Sequence, residues 1–188
     1  MLIVDALTGQ QKASIDYRAG GVSHAQKVVV GKFDSSRRGM QLAIGVKPVG
    51  MTLWDLATGE LLWKRDTPAA LLSRGDWDGD GNDEIMAFGL GVNVDGTVSV
   101  WNGKGERLYA LSFLPSPSRT ARSKYGGNYS HAMPGGHEGV RRQVDLDGNG
   151  RADVIMPFGG WHWGSDSILF LMEGTKEGLQ KSGMATAK

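Results

Sequence analysis

Cysteine is absent from the 188 residues. Neither a disulfide framework nor thiol chemistry is therefore available, and the redox compartment is left open. Long apolar runs are also missing: the longest, such as Ile168 to Met172, are strand-sized and far too short to span a bilayer as a helix. Neither charge sign dominates. Lys and Arg number 21 against 20 Asp and Glu, a net charge of +1, which gives no reason to expect nucleic acid or an anionic membrane as partner. No segment keeps a helical period beyond two turns. The serine-hydrolase elbow Gly-x-Ser-x-Gly, the phosphate-binding Gly-x-x-x-x-Gly-Lys loop and the zinc motif His-Glu-x-x-His do not occur. Proline is scarce, at 6 residues, whereas glycine reaches 29. Glycine spread through the chain with no Gly-X-Y period points to many turns between short strands.

Strand-like apolar runs fill the space between those turns. They lie at Lys27 to Phe33, Gln41 to Gly45, Met51 to Asp55, Glu60 to Lys64, Glu84 to Phe88, Thr97 to Trp101, Arg107 to Leu111, Val140 to Val144, Asp153 to Phe158 and Ile168 to Met172. Thr58-Gly59, Asp95-Gly96, Asn102-Gly103, Lys104-Gly105 and Glu173-Gly174 mark turns between them. One phrase recurs, a strand ending in a polar residue and a tight turn: Leu2-Ile-Val-Asp-Ala-Leu-Thr-Gly, Met51-Thr-Leu-Trp-Asp-Leu-Ala-Thr-Gly, Val98-Ser-Val-Trp-Asn-Gly-Lys-Gly and Leu169-Phe-Leu-Met-Glu-Gly. Asp5 to Asp55 is 50 positions, Asp55 to Asn102 is 47 and Asn102 to Glu173 is 71. A period near 45 to 50 with four strands per unit is the signature of a β-propeller, so the expected fold is all-β, one propeller segment over residues 1–188. The long third interval places an insertion at about residues 112–139.

The densest chemistry lies in the stretch Asp76-Trp-Asp-Gly-Asp-Gly-Asn-Asp-Glu84. Carboxylates at its first, third, fifth and ninth positions (Asp76, Asp78, Asp80 and Glu84) are interleaved with Gly79 and Gly81. Alternate oxygens turned inward on a glycine-permitted backbone wrap a hard cation, and the last carboxylate closes the shell. The same register recurs at Asp145-Leu-Asp-Gly-Asn-Gly-Arg-Ala-Asp153, with Asp145, Asp147, Asn149 and Asp153 in those places. Oxygen-only donors in this number suit calcium better than magnesium. The seventh residues, Asn82 and Arg151, are expected to add a backbone carbonyl. An EF-hand would need Glu six residues after the loop glycine, where Ala87 and Met156 stand instead. A weaker copy runs from Gly31 to Gln41, with Lys32 in the first ligand place, Asp34 retained, and Ser35, Ser36, Arg37 and Arg38 replacing the glycine-rich centre. The lysine brings the wrong charge, so this copy is expected to mark a structural unit without holding metal.

Aligning the three loops places His24 and His137 eight residues before Lys32 and Asp145. The matched pair reads either as a shared site on one face or as two histidines bonding backbone carbonyls at strand entries. The insertion carries Arg119, Arg122, Lys124, Tyr125, Asn128, Tyr129, His131 and His137 with no acid before Glu138. It reads either as a solvated surface loop or as a loop that holds an anion or a sugar. Of the six tryptophans, Trp54, Trp63 and Trp101 fall on strands and Trp77, Trp161 and Trp163 in loops. Trp161-His162-Trp163 follows Gly159-Gly160 and offers rings for stacking on sugars, or for packing between units.

The Asp-x-Asp-Gly-Asp/Asn-Gly-x-x-Asp/Glu loop followed by a strand resembles the FG-GAP or VCBS-type calcium repeat of β-propellers. His24-Ala-Gln, Gly31-Lys32-Phe33-Asp34 and Arg37-Arg38-Gly39-Met40-Gln41 resemble a blade of the rhamnogalacturonan lyases of polysaccharide lyase family 11 and their uncharacterised relatives, whose blades carry a histidine, Gly-Asp-x-Asp and Arg-Pro-Gly-x-Glu. Lys32, Arg38 and Gln41 depart from that pattern. The resemblance implies an eight-bladed propeller, several structural calcium ions, an extracytoplasmic or secreted location, and a cleft that cleaves acidic pectin. Such cleavage removes the proton beside a uronate carboxylate and expels the oxygen across from it, so it needs a base and a cation on the carboxylate. His24 and His137 are then the candidate bases or sugar contacts. Arg119, Arg122 and Lys124 are candidate carboxylate clamps, and Tyr125, Tyr129, His131, Trp161 and Trp163 candidate sugar contacts.

At roughly 45 residues per blade the chain supplies about four blades. It is expected to be a fragment of a longer chain, a half ring that dimerises, or an open array; its start within a strand (Met1-Leu-Ile-Val-Asp, with no secretory signal) favours the fragment. A non-catalytic propeller that binds carbohydrate or protein, or a structural domain beside an enzyme, is the alternative to a lyase segment.

Overall fold

The computed structural model describes residues 1–21, 25–46, 50–67, 69, 71–88, 97–112, 133–134, 145–159, 167–176 and 178–187. Every regular element among them is a strand. β1 (Leu2–Val4) and β2 (Gln11–Ser14) form a two-stranded ribbon. β3 (Ala25–Gly31), β4 (Gln41–Val46), β5 (Met51–Asp55) and β6 (Leu61–Arg65) form a four-stranded sheet. A second is built from β7 (Leu71–Gly75), β8 (Glu84–Phe88), β9 (Thr97–Trp101) and β10 (Arg107–Ser112), and a third from β11 (Met133–Pro134), β12 (Val154–Gly159), β13 (Ser167–Thr175) and β14 (Gly178–Ala187). In each, spatial order follows chain order and every pair is antiparallel. These are meanders, the arrangement that short runs joined by tight turns can reach without crossovers.

The recurring turn phrase folds the same way each time. Asp5 Oδ1 accepts the amides of Leu7 and Thr8, and Asp55 Oδ1 those of Ala57 and Thr58. Asn102 Oδ1 likewise accepts from Lys104. Gly9, Gly59 and Gly105 then donate back to the carbonyls of those three residues at positive φ. A short polar side chain that caps its own turn is the local reason these strands end where they do. The tryptophans closing β5 and β9 also repeat: Trp54 Nε1 donates to Thr52 Oγ1 and Trp101 Nε1 to Ser99 Oγ, two residues back in each strand. Each indole is thereby satisfied inside the core.

β4 and β5 lie in the middle of their sheet, and every residue in both is buried. Their alternation divides between two cores. Leu42, Ile44 and Trp54 pack with Ile15 and Ile3 toward the β1–β2 ribbon. Ala43, Met51 and Leu53 face the other way, into a cluster with Leu72, Ile85, Ala87 and Trp101 of the second four-stranded sheet. Strands covered on both faces read as continuous apolar runs, which is why their sequences show little polar alternation. Three strands, β2, β7 and β14, carry no apolar alternation and were not expected from the sequence. Met133 and Pro134, within the segment expected as an insertion, form β11, and the run Val140 to Val144 lies outside the described residues.

Candidate metal centres

Each of the two acidic loops joins the first strand of a sheet to the second: residues 76–83 precede β8, and residues 145–152 precede Asp153 and β12. The two share five contacts in one register. Asp76 accepts the amides of Gly79 and Gly81, as Asp145 accepts those of Gly148 and Gly150. Asp78 accepts from Asp80 and Asp147 from Asn149, while Asp80 accepts from Asn82 and Asn149 from Arg151. The last residue closes the ring: Glu84 Oε2 accepts the Trp77 amide at 2.8 Å, and Asp153 Oδ2 the Leu146 amide at 2.7 Å. The glycines between the ligand places have φ near +80° (78° and 88° in one loop, 78° and 80° in the other), a region closed to most side chains.

This scaffold gathers carboxylate oxygens. Those of Asp76, Asp78, Asp80 and Glu84 lie within 4.8 Å of one another, as do those of Asp145, Asp147 and Asp153. Four carboxylates at that spacing repel, and Glu84 bears most of the consequence because it is only 3% exposed. Burial, with the charges of Asp78, Asp80 and Asp76 added, pushes its pKa up from 4.5 to about 8. Burial and the same neighbours raise Asp78 as well. In the other loop Asp145 is held below the ordinary carboxylate range, chiefly by the Gly150 amide. A buried acid at the fourth corner of an oxygen-only cluster fits a divalent hard cation, which would neutralise it in place. The donor set therefore fits calcium, with Asp76, Asp78, Asp80 and Glu84 to hold one ion, and Asp145, Asp147, Asp153 and Asn149 another. The seventh residues point elsewhere. Asn82 Oδ1 accepts the Ser35 amide, and the Arg151 guanidinium donates to the Asp78 carbonyl, leaving only their own carbonyls for an ion.

The degenerate loop after β3 explains its own substitutions. Gln41 stands where Glu84 and Asp153 stand, fully buried, accepting the Asp34 amide through Oε1 and donating to the Gly39 carbonyl through Nε2. An amide in that place needs no counter-ion. Positive charge comes instead from Arg37, whose guanidinium lies 3.8 Å from Asp34, 3.5 Å from Asp55 and 3.4 Å from Glu60. An aromatic residue also repeats, Phe33 and Trp77, each folded back over the glycine two residues earlier. A Cβ on Gly31 or Gly75 would stand 2.7 Å or 2.5 Å from that ring. The sequence signal was present as Gly-x-aromatic, ahead of both loops, and sequence reasoning had not used it. Leu146 holds the same place in the third loop and is 51% exposed.

The loops also touch one another, which sequence reasoning missed. Asp83 donates its amide to the Lys32 carbonyl and accepts the Lys32 amide on Oδ2, where Arg74 Nη1 also lands at 2.7 Å. One sheet further on, Ala152 donates to the Asp76 carbonyl at 3.4 Å, and Arg151 Nε to the Asp78 carbonyl at 3.1 Å. His24, His137, Arg119, Arg122, Lys124, Tyr125, Tyr129, His131, Trp161 and Trp163 lie outside the described residues.

No protein-family model matches the chain, and no curated protein sequence does. Among solved structures it is similar to the Bacillus licheniformis rhamnogalacturonan lyase PL11, with a TM-score of 0.58 at 18% identity, over 86% of this chain and 34% of that one. It is similar also to the exotype rhamnogalacturonan lyase YesX, with a TM-score of 0.59 at 17% identity, over 86% of this chain and 33% of that one. The likeness is one of fold, and the chain spans about a third of the length of either lyase.

Proposed function

We propose that the chain is a calcium-stapled segment of a β-propeller, of the FG-GAP or VCBS type, from a polysaccharide-lyase-like protein that acts on acidic glycans by β-elimination of the rhamnogalacturonan type. The observation that carries this reading is the repeat itself. Four-stranded meanders follow one another, with an acidic loop or its degenerate copy between first and second strand, in a chain that shares its fold with two rhamnogalacturonan lyases over 86% of its length. In this reading the ions are structural. Bound calcium neutralises clustered carboxylates and makes folding metal-linked, and the chemistry falls to other residues. His24 and His137 would take the proton, Arg119, Arg122 and Lys124 would neutralise the uronate carboxylate, and Tyr125, Tyr129, His131, Trp161 and Trp163 would contact the sugar.

A further copy of the chain, or the remainder of a longer one, would complete the ring. The exposure of Leu146 supports this, because Phe33 and Trp77 in the same loop position are 2% and 1% exposed. The test is incubation of the calcium-loaded protein with rhamnogalacturonan and a panel of uronate polymers, followed by ultraviolet absorbance of the unsaturated product. Product on at least one polymer is expected; none on any polymer would remove the catalytic half of the proposal. A non-catalytic propeller binding carbohydrate or protein is the second reading, favoured by the chain's spanning only a third of either lyase.

A further inference from the structure

The contacts between successive loops have a register of their own. In both pairs the eighth loop residue, Asp83 or Ala152, donates its amide to the carbonyl of the first residue of the preceding loop, Lys32 or Asp76. In both pairs the seventh residue sends its side chain across as well: Asn82 Oδ1 takes the Ser35 amide, and Arg151 Nε reaches the Asp78 carbonyl over 73 positions of chain. Arg151 is half-buried there and lies against Gly79, its Nε 3.4 Å from where a Cβ would stand. The second acidic loop thus grips the first at two of its ligand residues, Asp76 and Asp78, and does so through the residues just before its own closing ligand, Asp153.

We infer that Arg151 couples the two loops, so that a cation held at 145–153 strengthens the hold on a cation at 76–84, and the reverse. This inference rests on the metal reading above and adds to it a linkage between sites. The physical basis is ordering. An ion in the 145–153 loop fixes the backbone on both sides of Arg151, since Asn149 and Asp153 flank it. The fixed guanidinium and the Ala152 amide then hold Asp76 and Asp78 near their binding positions, which lowers the conformational cost of the other ion. Linkage of this kind is reciprocal by thermodynamic necessity. The anchoring continues backward: Asp83 and Asn82 dock the 76–84 loop on the loop after β3, giving it a fixed base on its other side.

The experiment is calcium titration calorimetry on the full chain, with one loop disabled at a time. Asp145→Asn with Asp147→Asn leaves only the 76–84 site; Asp76→Asn with Asp80→Asn leaves only the 145–153 site. The product of the two wild-type binding constants is expected to exceed the product of the single-loop constants by roughly fivefold or more. Placing Arg151→Met in all three backgrounds should lower that ratio toward one, leaving only the share that the Ala152 amide carries, with circular dichroism confirming that the strands persist. A wild-type ratio of one overturns the coupling, and a ratio undiminished by Arg151→Met overturns the role of Arg151. Absence of any calcium uptake by the wild type is a different result. It removes the metal reading and this inference with it, whereas two independent sites remove the inference alone.

Discussion

Replacing Glu84 with Gln should stabilise the protein when calcium is withheld and weaken it when calcium is supplied. Glu84 is 3% exposed and accepts the Trp77 amide, and its burial, with three neighbouring aspartates adding to the effect, raises its pKa to about 8. In the unfolded chain the same carboxyl titrates near 4.5. The folded, ion-free protein therefore binds more protons than the unfolded one between those two values, and stability must fall as pH rises through that window. The group's contribution is fully present below about 4.5 and is lost by about 8. The corresponding free energy is up to about 5 kcal/mol, a third or more of the stability of a typical domain. Glutamine keeps an oxygen for the Trp77 amide and carries no charge, reproducing what Gln41 does at the same place in the loop after β3. In chelator, urea unfolding followed by tryptophan fluorescence at pH 5, 7 and 9 should show the wild type weakening and Glu84→Gln staying level. The variant should lead by several kcal/mol at pH 9. With calcium at about a thousand times its dissociation constant, the 76–84 site should add about 4 kcal/mol to the wild type and much less to the variant, the 145–153 site contributing to both. A variant less stable than wild type in chelator at pH 9 would refute the reasoning.

Three further outcomes follow from the same geometry. Trp77→Ala should cost about 3–5 kcal/mol by urea unfolding, the range for emptying the space of a buried aromatic, whereas Leu146→Ala, half exposed at the equivalent place, should cost under about 1 kcal/mol. Asp55→Ala removes the acceptor for the Ala57 and Thr58 amides and a partner of Arg37, and should cost about 1–3 kcal/mol; Asp55→Asn should recover most of that. By calorimetry the 76–84 loop should bind calcium more tightly than the 145–153 loop, because it offers four carboxylates where the other offers three; equal affinities would show that charge count does not set the order.

The two ion-shaped loops were legible because everything that shapes them is local. Asp76 and Asp145 cap amides three and five residues on, and the glycines supply the positive φ those turns need. The Asp5, Asp55 and Asn102 turns were legible for the same reason. β7 and β14 were not, because their residues carry no apolar period and their strand state comes from pairing with β8 and β13. Gln41 looked like a lost ligand in sequence; the fold shows a buried amide with both ends bonded.

By itself, then, the sequence determined the all-β class, the strand-and-turn repeat and the oxygen-rich loops, since each depends on residues within about ten positions of one another. Tertiary structure alone decided which faces of β4 and β5 meet which core, how far burial raises Glu84, and that Asp83 meets Lys32 and Arg151 meets Asp78 across 51 and 73 positions. Those contacts arise only when separate sheets are brought side by side, and no local pattern in the chain encodes them.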